Sequence, residues 1–103
     1  KGKRAVIIDD IVDTGGTLTN AVAALYQEGA KEVYSFCTHA VLSGNAVTKI
    51  GESHLKKMVM TDTIQPTVAA QKCRTIEVLS VASILGEAIR RIYYSESVSS
   101  LFV

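Results

Sequence analysis

Apolar residues along the chain follow two alternating spacings. Short continuous apolar runs predict four strands, at residues 5–9, 33–38, 57–61 and 75–79. After the first strand, apolar residues at i, i+3, i+4 and i+7 from Leu18 predict a helix, which Gly29 stops at the C′ position. A short second helix is predicted with Ser43 as its N-cap, and a last helix with Ser80 as its cap. The segment around Pro66, residues 63–73, is predicted to be a loop.

This order of elements predicts an α/β fold. Strands that alternate with helices form βαβ units, whose strands lie parallel in one sheet. The first strand, AVIID, is a continuous apolar run that ends in a charged residue, and it is predicted to be buried on both faces. Ligands bind at the carboxyl ends of such strands, where we expect Asp9, Asp10, His39 and Asp62. For Asp62, capping of a turn is favoured over contact with a substrate.

Composition and charge exclude several classes of function. The chain has 103 residues, enough for one domain, and 48% hydrophobic residues with a mean hydropathy of +0.24 allow a real core. Eleven basic and ten acidic residues leave a net charge of +1, so no footprint for nucleic acid or a membrane surface is present. No apolar run reaches the roughly 18 residues of a membrane span.

Cysteine usage bears on the cellular compartment of the protein, and the start of the chain bears on whether it is a segment. Cys37 and Cys73 form no Cys-x-x-Cys pair, which favours free thiols in a reducing, cytoplasmic compartment. The chain begins with lysine, and a strand is predicted within its first few residues. We therefore expect residues 1–103 to be a segment of a longer chain.

The junction after the first strand combines an anion loop with carboxylates. The loop consists of Asp13, Thr14, Gly15, Gly16 and Thr17. Its glycines allow close approach of the backbone, and the amides of the following helix point at a bound anion. Asp9 and Asp10 would repel a bare phosphate but accept hydrogen bonds from hydroxyls, with or without a divalent cation. A sugar phosphate satisfies both halves of the junction.

The motif VIIDDIVDTGGT resembles the phosphoribosyl diphosphate motif shared by type I phosphoribosyltransferases and ribose-phosphate pyrophosphokinases. The segments EGAKEVYSFCTHAVLSG, TDTI, GEAIRRI and ESVSSLF are similar to the carboxyl-terminal part of the pyrophosphokinases in order and spacing. The resemblance covers nearly the whole chain. It implies a three-layer phosphoribosyltransferase-like fold of the Rossmann-like kind, here incomplete, with residues 1–103 as one domain segment of a two-domain enzyme.

The resemblance also implies roles for individual residues. Asp9 and Asp10 would hold the ribose 2- and 3-hydroxyls of ribose 5-phosphate, directly or through magnesium, and Asp13 would lie near the anomeric carbon. Thr14, Gly15, Gly16 and Thr17 would bind the 5-phosphate. Members of the family transfer a diphosphoryl group from ATP to ribose 5-phosphate, giving phosphoribosyl diphosphate and AMP, with Mg²⁺ as cofactor.

Other implications concern the rim, the tail and the assembly. His39 would lie at the active-site rim, where a structural hydrogen bond and ligand contact are both open. Ser97 and Ser99 would belong to an allosteric site for phosphate or ADP in a homo-oligomer, dimer-based and hexameric in the resembling family. The catalytic lysine and arginine and the direct magnesium ligands of the family match no position here. The resemblance therefore implies an inactive segment when isolated.

Two other functions stay open at this point. A type I phosphoribosyltransferase uses a similar loop, although the ESVSSLF ending argues against that group. A non-catalytic subunit associated with the synthetase would keep the fold without turning over substrate. The intact DDIVDTGGT motif favours the catalytic family.

Overall fold

The computed structural model describes residues 2–102, which form four strands and four α-helices. The strands are β1 (Arg4–Val12), β2 (Glu32–Ala40), β3 (Lys57–Thr61) and β4 (Ile76–Leu79). The helices are α1 (Gly16–Gln27), α2 (Ala46–Glu52), α3 (Val68–Lys72) and α4 (Ala82–Tyr93), followed by a 3₁₀ turn at Ser99–Phe102. None of the helices within residues 2–102 has the length and apolar character that crossing a membrane requires.

The four strands form one parallel sheet in the order β1-β2-β3-β4. This confirms the α/β fold with a parallel sheet. Because crossovers between parallel strands are right-handed, an order that advances in one direction places α1, α2 and α3 on the same face. Within residues 2–102 the sheet therefore has one covered face, and the expected third layer is not formed.

The core lies between that covered face and the helices. Its largest fully buried side chains come from α1, α2 and the two inner strands of the sheet: Val22, Ile50, Val33, Ser35, Met58 and Met60. The Ser35 hydroxyl is the one buried side-chain nitrogen or oxygen of the described residues without a hydrogen-bond partner. Both cysteines are free thiols, and burial raises the pKa of Cys37.

The prediction that β1 is buried on both faces is wrong. Val6 and Ile8 are 54% and 82% exposed, whereas Ala5 and Ile7 pack against the core. Successive side chains of a strand point to opposite faces, and no element within residues 2–102 covers the second face. Phe36 and Leu79 extend the same open apolar surface over β2 and β4.

Helix α4 also departs from its expected burial. Its apolar residues recur at helical spacing, yet the helix has no buried residue, and Leu85 and Ile92 are 54% and 68% exposed. The residue before its first turn, Val81, is held by Asp62, whose Oδ1 accepts a hydrogen bond from the Val81 amide at 2.9 Å. Hydrogen bonds from the Ser80 hydroxyl and this amide hold the pKa of Asp62 below its usual range. The capping role predicted for Asp62 is confirmed.

Three local predictions need correction. The N-cap of α4 is Val81 and not Ser80, although the Ser80 hydroxyl accepts a hydrogen bond from the Ala82 amide at 3.1 Å. The predicted loop at residues 63–73 contains α3, which Thr67 caps by accepting a hydrogen bond from the Ala70 amide at 3.1 Å. The N-cap of α2 is Asn45 and not Ser43, and no side chain caps that helix. The Ser43 side chain is engaged elsewhere, at the junction of β1 and α1.

Candidate functional site

The connection from β1 to α1 leaves the first amides of α1 without partners in the helix. Gly15 is the N-cap in the left-handed region, with φ 83°, and no side chain caps the helix. The Thr19 amide makes the first intrahelical bond, to the Gly15 carbonyl at 2.9 Å. The amides of Gly16, Thr17 and Leu18 precede it, so they are oriented to donate to a ligand. The helix dipole favours a negative charge at this end.

A cleft of about 280 Å³ lies against this helix end. Its lining comes from the end of β1, the loop and the first turn of α1: Asp9, Ile11, Val12, Asp13, Thr14, Gly15, Thr17 and Leu18. Five of the seven predicted ribose 5-phosphate residues are thus brought together. Asp10 and Gly16 do not line the cleft.

The separation of Asp9 from Asp10 follows from the length of β1. The sequence pattern ends the strand at Asp9, whereas the structure continues pairing with β2 to Val12. Neighbouring residues inside a strand point to opposite faces, so the two carboxylates cannot share one face. Asp9 is half-buried and lines the cleft, while Asp10 is exposed.

The carboxylates of the site are not neutralised by any basic side chain that the structure describes. No Asp9, Asp10 or Asp13 ion pair occurs among residues 2–102. In the same residues, no three His, Cys, Asp or Glu side chains converge as a metal cage. Two carboxylates facing one cleft fit Mg²⁺, which takes one or two carboxylates together with substrate oxygens. Asp9 and Asp13 are the residues that would hold it.

Ser43 contacts a residue of the site, and the sequence pattern missed this contact. Its hydroxyl donates a hydrogen bond to Asp13 Oδ1, and its amide donates to the Asp13 carbonyl at 3.0 Å. Thirty positions separate the two residues. A serine before a helical pattern is typical of an N-cap, and nothing local in the sequence signals a contact with the preceding loop.

Helix α2 begins directly against the loop. A Cβ placed on Gly15 would lie 3.7 Å from the Cα, Cβ and carbonyl oxygen of Ala46, the first residue of α2. Ala46 is fully buried at this contact. The packing of α2 therefore sets the space in which the loop can move.

His39 lies near the carboxyl end of β2, half-buried and outside the cleft lining. Its Nδ1 is 2.8 Å from the oxygen of the Thr63 hydroxyl, and that hydroxyl donates to the Thr38 carbonyl at 3.2 Å. The Thr61 hydroxyl donates to the same carbonyl at 2.5 Å. These contacts join the ends of β2 and β3 at the predicted rim.

The serine-rich tail is tied to α4. The hydroxyls of Ser97 and Ser99 are 2.7 Å apart. Arg91 Nη1 donates to the Ser100 hydroxyl at 2.6 Å and to the Ser97 carbonyl at 3.3 Å. Arg90 and Arg91 both donate to Glu87, which lowers the pKa of that carboxyl to about 2. An arginine thus holds the turn that presents the predicted serines.

Comparisons with known proteins identify the family to which the chain belongs. The sequence model of a family described as the phosphoribosyl synthetase-associated domain matches residues 1–103. The chain is 55% identical to a ribose-phosphate pyrophosphokinase of Rhizobium meliloti over 101 residues, which is 98% of this chain and 33% of that protein. It is 54% identical to a ribose-phosphate pyrophosphokinase of Xanthomonas axonopodis pv. citri over 103 residues, which is 100% of this chain and 32% of that protein.

A solved structure is similar as well. The crystal structure of phosphoribosylpyrophosphate synthetase from Mycobacterium smegmatis superposes with a TM-score of 0.88 at 36% identity. The match covers 92% of this chain and 32% of that one. The chain spans about a third of the length of the curated relatives it matches. The resemblance drawn from the motifs is confirmed.

Proposed function

Because the chain belongs to the family of phosphoribosyl synthetase-associated domains, we propose that it provides the ribose 5-phosphate site of a ribose-phosphate pyrophosphokinase. Such an enzyme makes phosphoribosyl diphosphate and AMP from ribose 5-phosphate and ATP. The observation that carries the proposal is a cleft that joins an uncapped helix end to two carboxylates, which form no ion pair within residues 2–102.

The phosphate end of the ligand is assigned to the loop. The amides that begin α1 donate to the phosphate oxygens, and the hydroxyls of Thr14 and Thr17 add two donors from the cleft lining. Gly15 keeps the backbone close to the anion because it has no side chain. Gly16 contributes through its amide, although it does not line the cleft.

The hydroxyl end is assigned to the carboxylates. Asp9 and Asp13 accept hydrogen bonds from ribose hydroxyls across the cleft, or share a Mg²⁺ with the ligand oxygens. When bound, the Mg²⁺ would neutralise charge on the phosphates. Asp10 does not line the cleft, so it would contact the ligand through the cation or where the ligand extends beyond the cleft. We assign substrate binding to the cleft. We assign no catalytic step to it, because its lining contains no lysine or arginine.

The tail and the rim are assigned supporting roles. Ser97 and Ser99 present paired hydroxyls from a turn held by Arg91, an arrangement suited to a regulatory phosphate or ADP in a homo-oligomer. His39 is assigned to the rim, where Thr63 fixes its ring. ATP is the proposed second substrate of the whole enzyme.

The hydroxyl-binding role predicts a large effect of Asp9→Asn. This change keeps the size of the side chain but removes its charge. A hydrogen bond to a charged group contributes about 1.5–3 kcal/mol, so we expect ribose 5-phosphate affinity to fall roughly ten- to a hundredfold with Mg²⁺ present. Calorimetric titration of the chain measures this loss.

Glu77→Gln supplies a matched control, because Glu77 is an exposed acid on β4 outside the cleft. Its affinity is expected to equal that of the wild type. Titration with 2-deoxyribose 5-phosphate should show weaker binding to the wild type and a smaller effect of Asp9→Asn. Equal affinity of Asp9→Asn and wild type for ribose 5-phosphate would refute the role of Asp9.

A further inference from the structure

The segment between β2 and α2 folds back onto the β1–α1 connection through three consecutive amides. The amides of Val41 and Leu42 donate to the Val12 carbonyl at 2.9 and 3.2 Å, and the Ser43 amide donates to the Asp13 carbonyl. This row of bonds fixes the backbone of Asp13 from outside its own loop. These backbone bonds also place Ser43 beside Asp13.

Leu42 adopts an unfavourable backbone conformation at this point. Its φ is 53°, in the left-handed region that residues with a side chain seldom occupy, and it is only 8% exposed. Such strain persists where the surrounding structure enforces it, and it clusters at functional sites. The strained residue directly precedes the one whose hydroxyl reaches Asp13.

The Ser43 hydroxyl acts on one oxygen of the Asp13 carboxylate. It donates to Oδ1, while Oδ2 accepts no hydrogen bond from residues 2–102. A fixed donor on one oxygen limits rotation of the carboxylate and leaves the other oxygen available to a ligand. Asp13 lines the cleft, so this orientation bears directly on what the cleft binds.

From this geometry we infer that Ser43 is a positioning residue that orients Asp13 for the sugar hydroxyls. The inference rests on the proposed ribose 5-phosphate site. Ser43 itself does not line the cleft, and it acts through the carboxylate. Pre-orienting a binding group removes the entropic cost of ordering it when the ligand arrives.

Ser43→Ala tests the inference in the chain with Mg²⁺. Loss of the hydroxyl is expected to weaken ribose 5-phosphate binding about three- to tenfold. Ser43→Thr keeps a hydroxyl and is expected to restore most of the affinity. Ser53→Ala is the matched control, because the Ser53 hydroxyl bonds to the Ile50 carbonyl at the far end of α2. Wild-type affinity of Ser43→Ala would overturn the inference.

A double-mutant cycle separates action through Asp13 from direct action. In an Asp13→Asn background, Ser43→Ala is expected to cause less than a twofold further change, because the oriented carboxylate is already absent. An equal fold-loss in both backgrounds would show that Ser43 acts without Asp13 and would overturn the inference.

A measurement without ligand keeps this inference distinct from the proposed function. Three-bond couplings of Asp13 report its χ1 angle, expected to be one rotamer in the wild type and averaged in Ser43→Ala. Unchanged couplings in Ser43→Ala would overturn the positioning role, whatever the ligand does. Absence of ribose 5-phosphate binding to the wild type would instead refute the proposed function.

Discussion

Replacing Ile50 with alanine is expected to lower the free energy of unfolding by about 2–5 kcal/mol. Ile50 lies on α2 and is fully buried in the core. Its truncation removes apolar contacts and leaves a cavity that the surrounding side chains can fill only in part. Because Ala46 at the start of α2 packs on Gly15, the same change should loosen the anion loop.

Urea denaturation followed by circular dichroism measures the loss. Ile89→Ala makes the same chemical change on α4, where Ile89 is 68% exposed, and should shift the free energy of unfolding by less than about 0.5 kcal/mol. Equal shifts for the two variants would contradict a core built between α2 and the covered face of the sheet.

Replacing Gly15 with valine is expected to weaken ribose 5-phosphate binding at least about tenfold, or 1.4 kcal/mol. The φ of 83° suits glycine, and a β-branched residue there is strained by roughly 1–2 kcal/mol. The methyl groups of valine would also extend beyond a Cβ position already 3.7 Å from Ala46. Relief of the backbone strain is expected to rotate the first amides of α1 away from the bound phosphate.

Gly29→Val is the matched control for this change. Gly29 follows the opposite end of α1 and has a φ of 93°, so valine is strained there as well. Both variants should unfold at lower urea concentration, but only Gly15→Val should lose affinity in calorimetric titration. A similar loss of affinity in both variants would mean that general destabilisation, and not the loop, weakens binding.

Much of the fold could be predicted from the order of apolar runs. The strand predicted at residues 57–61 matches β3. A short run of apolar and β-branched residues favours a strand over a helix. The Asp62 cap also followed from its place at the end of that strand. Helix α3 was missed because five residues give too little periodicity to separate a helix from a loop.

Burial could not be predicted in the same way. An apolar run such as that of β1 is typical of a strand covered on both faces, but covering depends on which other elements are present. The exposed Ile8 and Ile92 show apolar sequence that nothing within residues 2–102 covers. The local sequence pattern indicates which side chains are apolar. Whether they are buried depends on the tertiary arrangement.

The candidate site was likewise predicted only in part from the sequence. The loop and the carboxylates are contiguous in sequence, so their types and spacing are visible at once. The division of Asp9 from Asp10 depends on three further residues of strand pairing, to Val12. The contact between Ser43 and Asp13 depends on the return of a distant segment, which no local pattern encodes.

The most direct test of the proposed site is amide mapping by NMR during titration with ribose 5-phosphate and Mg²⁺. Amide shifts report weak binding residue by residue. The largest saturable changes are expected at Gly16, Thr17 and Leu18, which begin α1, with smaller changes at Asp9 and Asp13. Saturable changes confined to the groove between α1 and α2, at Asn20, Lys49 and His54, or none at all, would contradict a ribose 5-phosphate site at the β1–α1 junction.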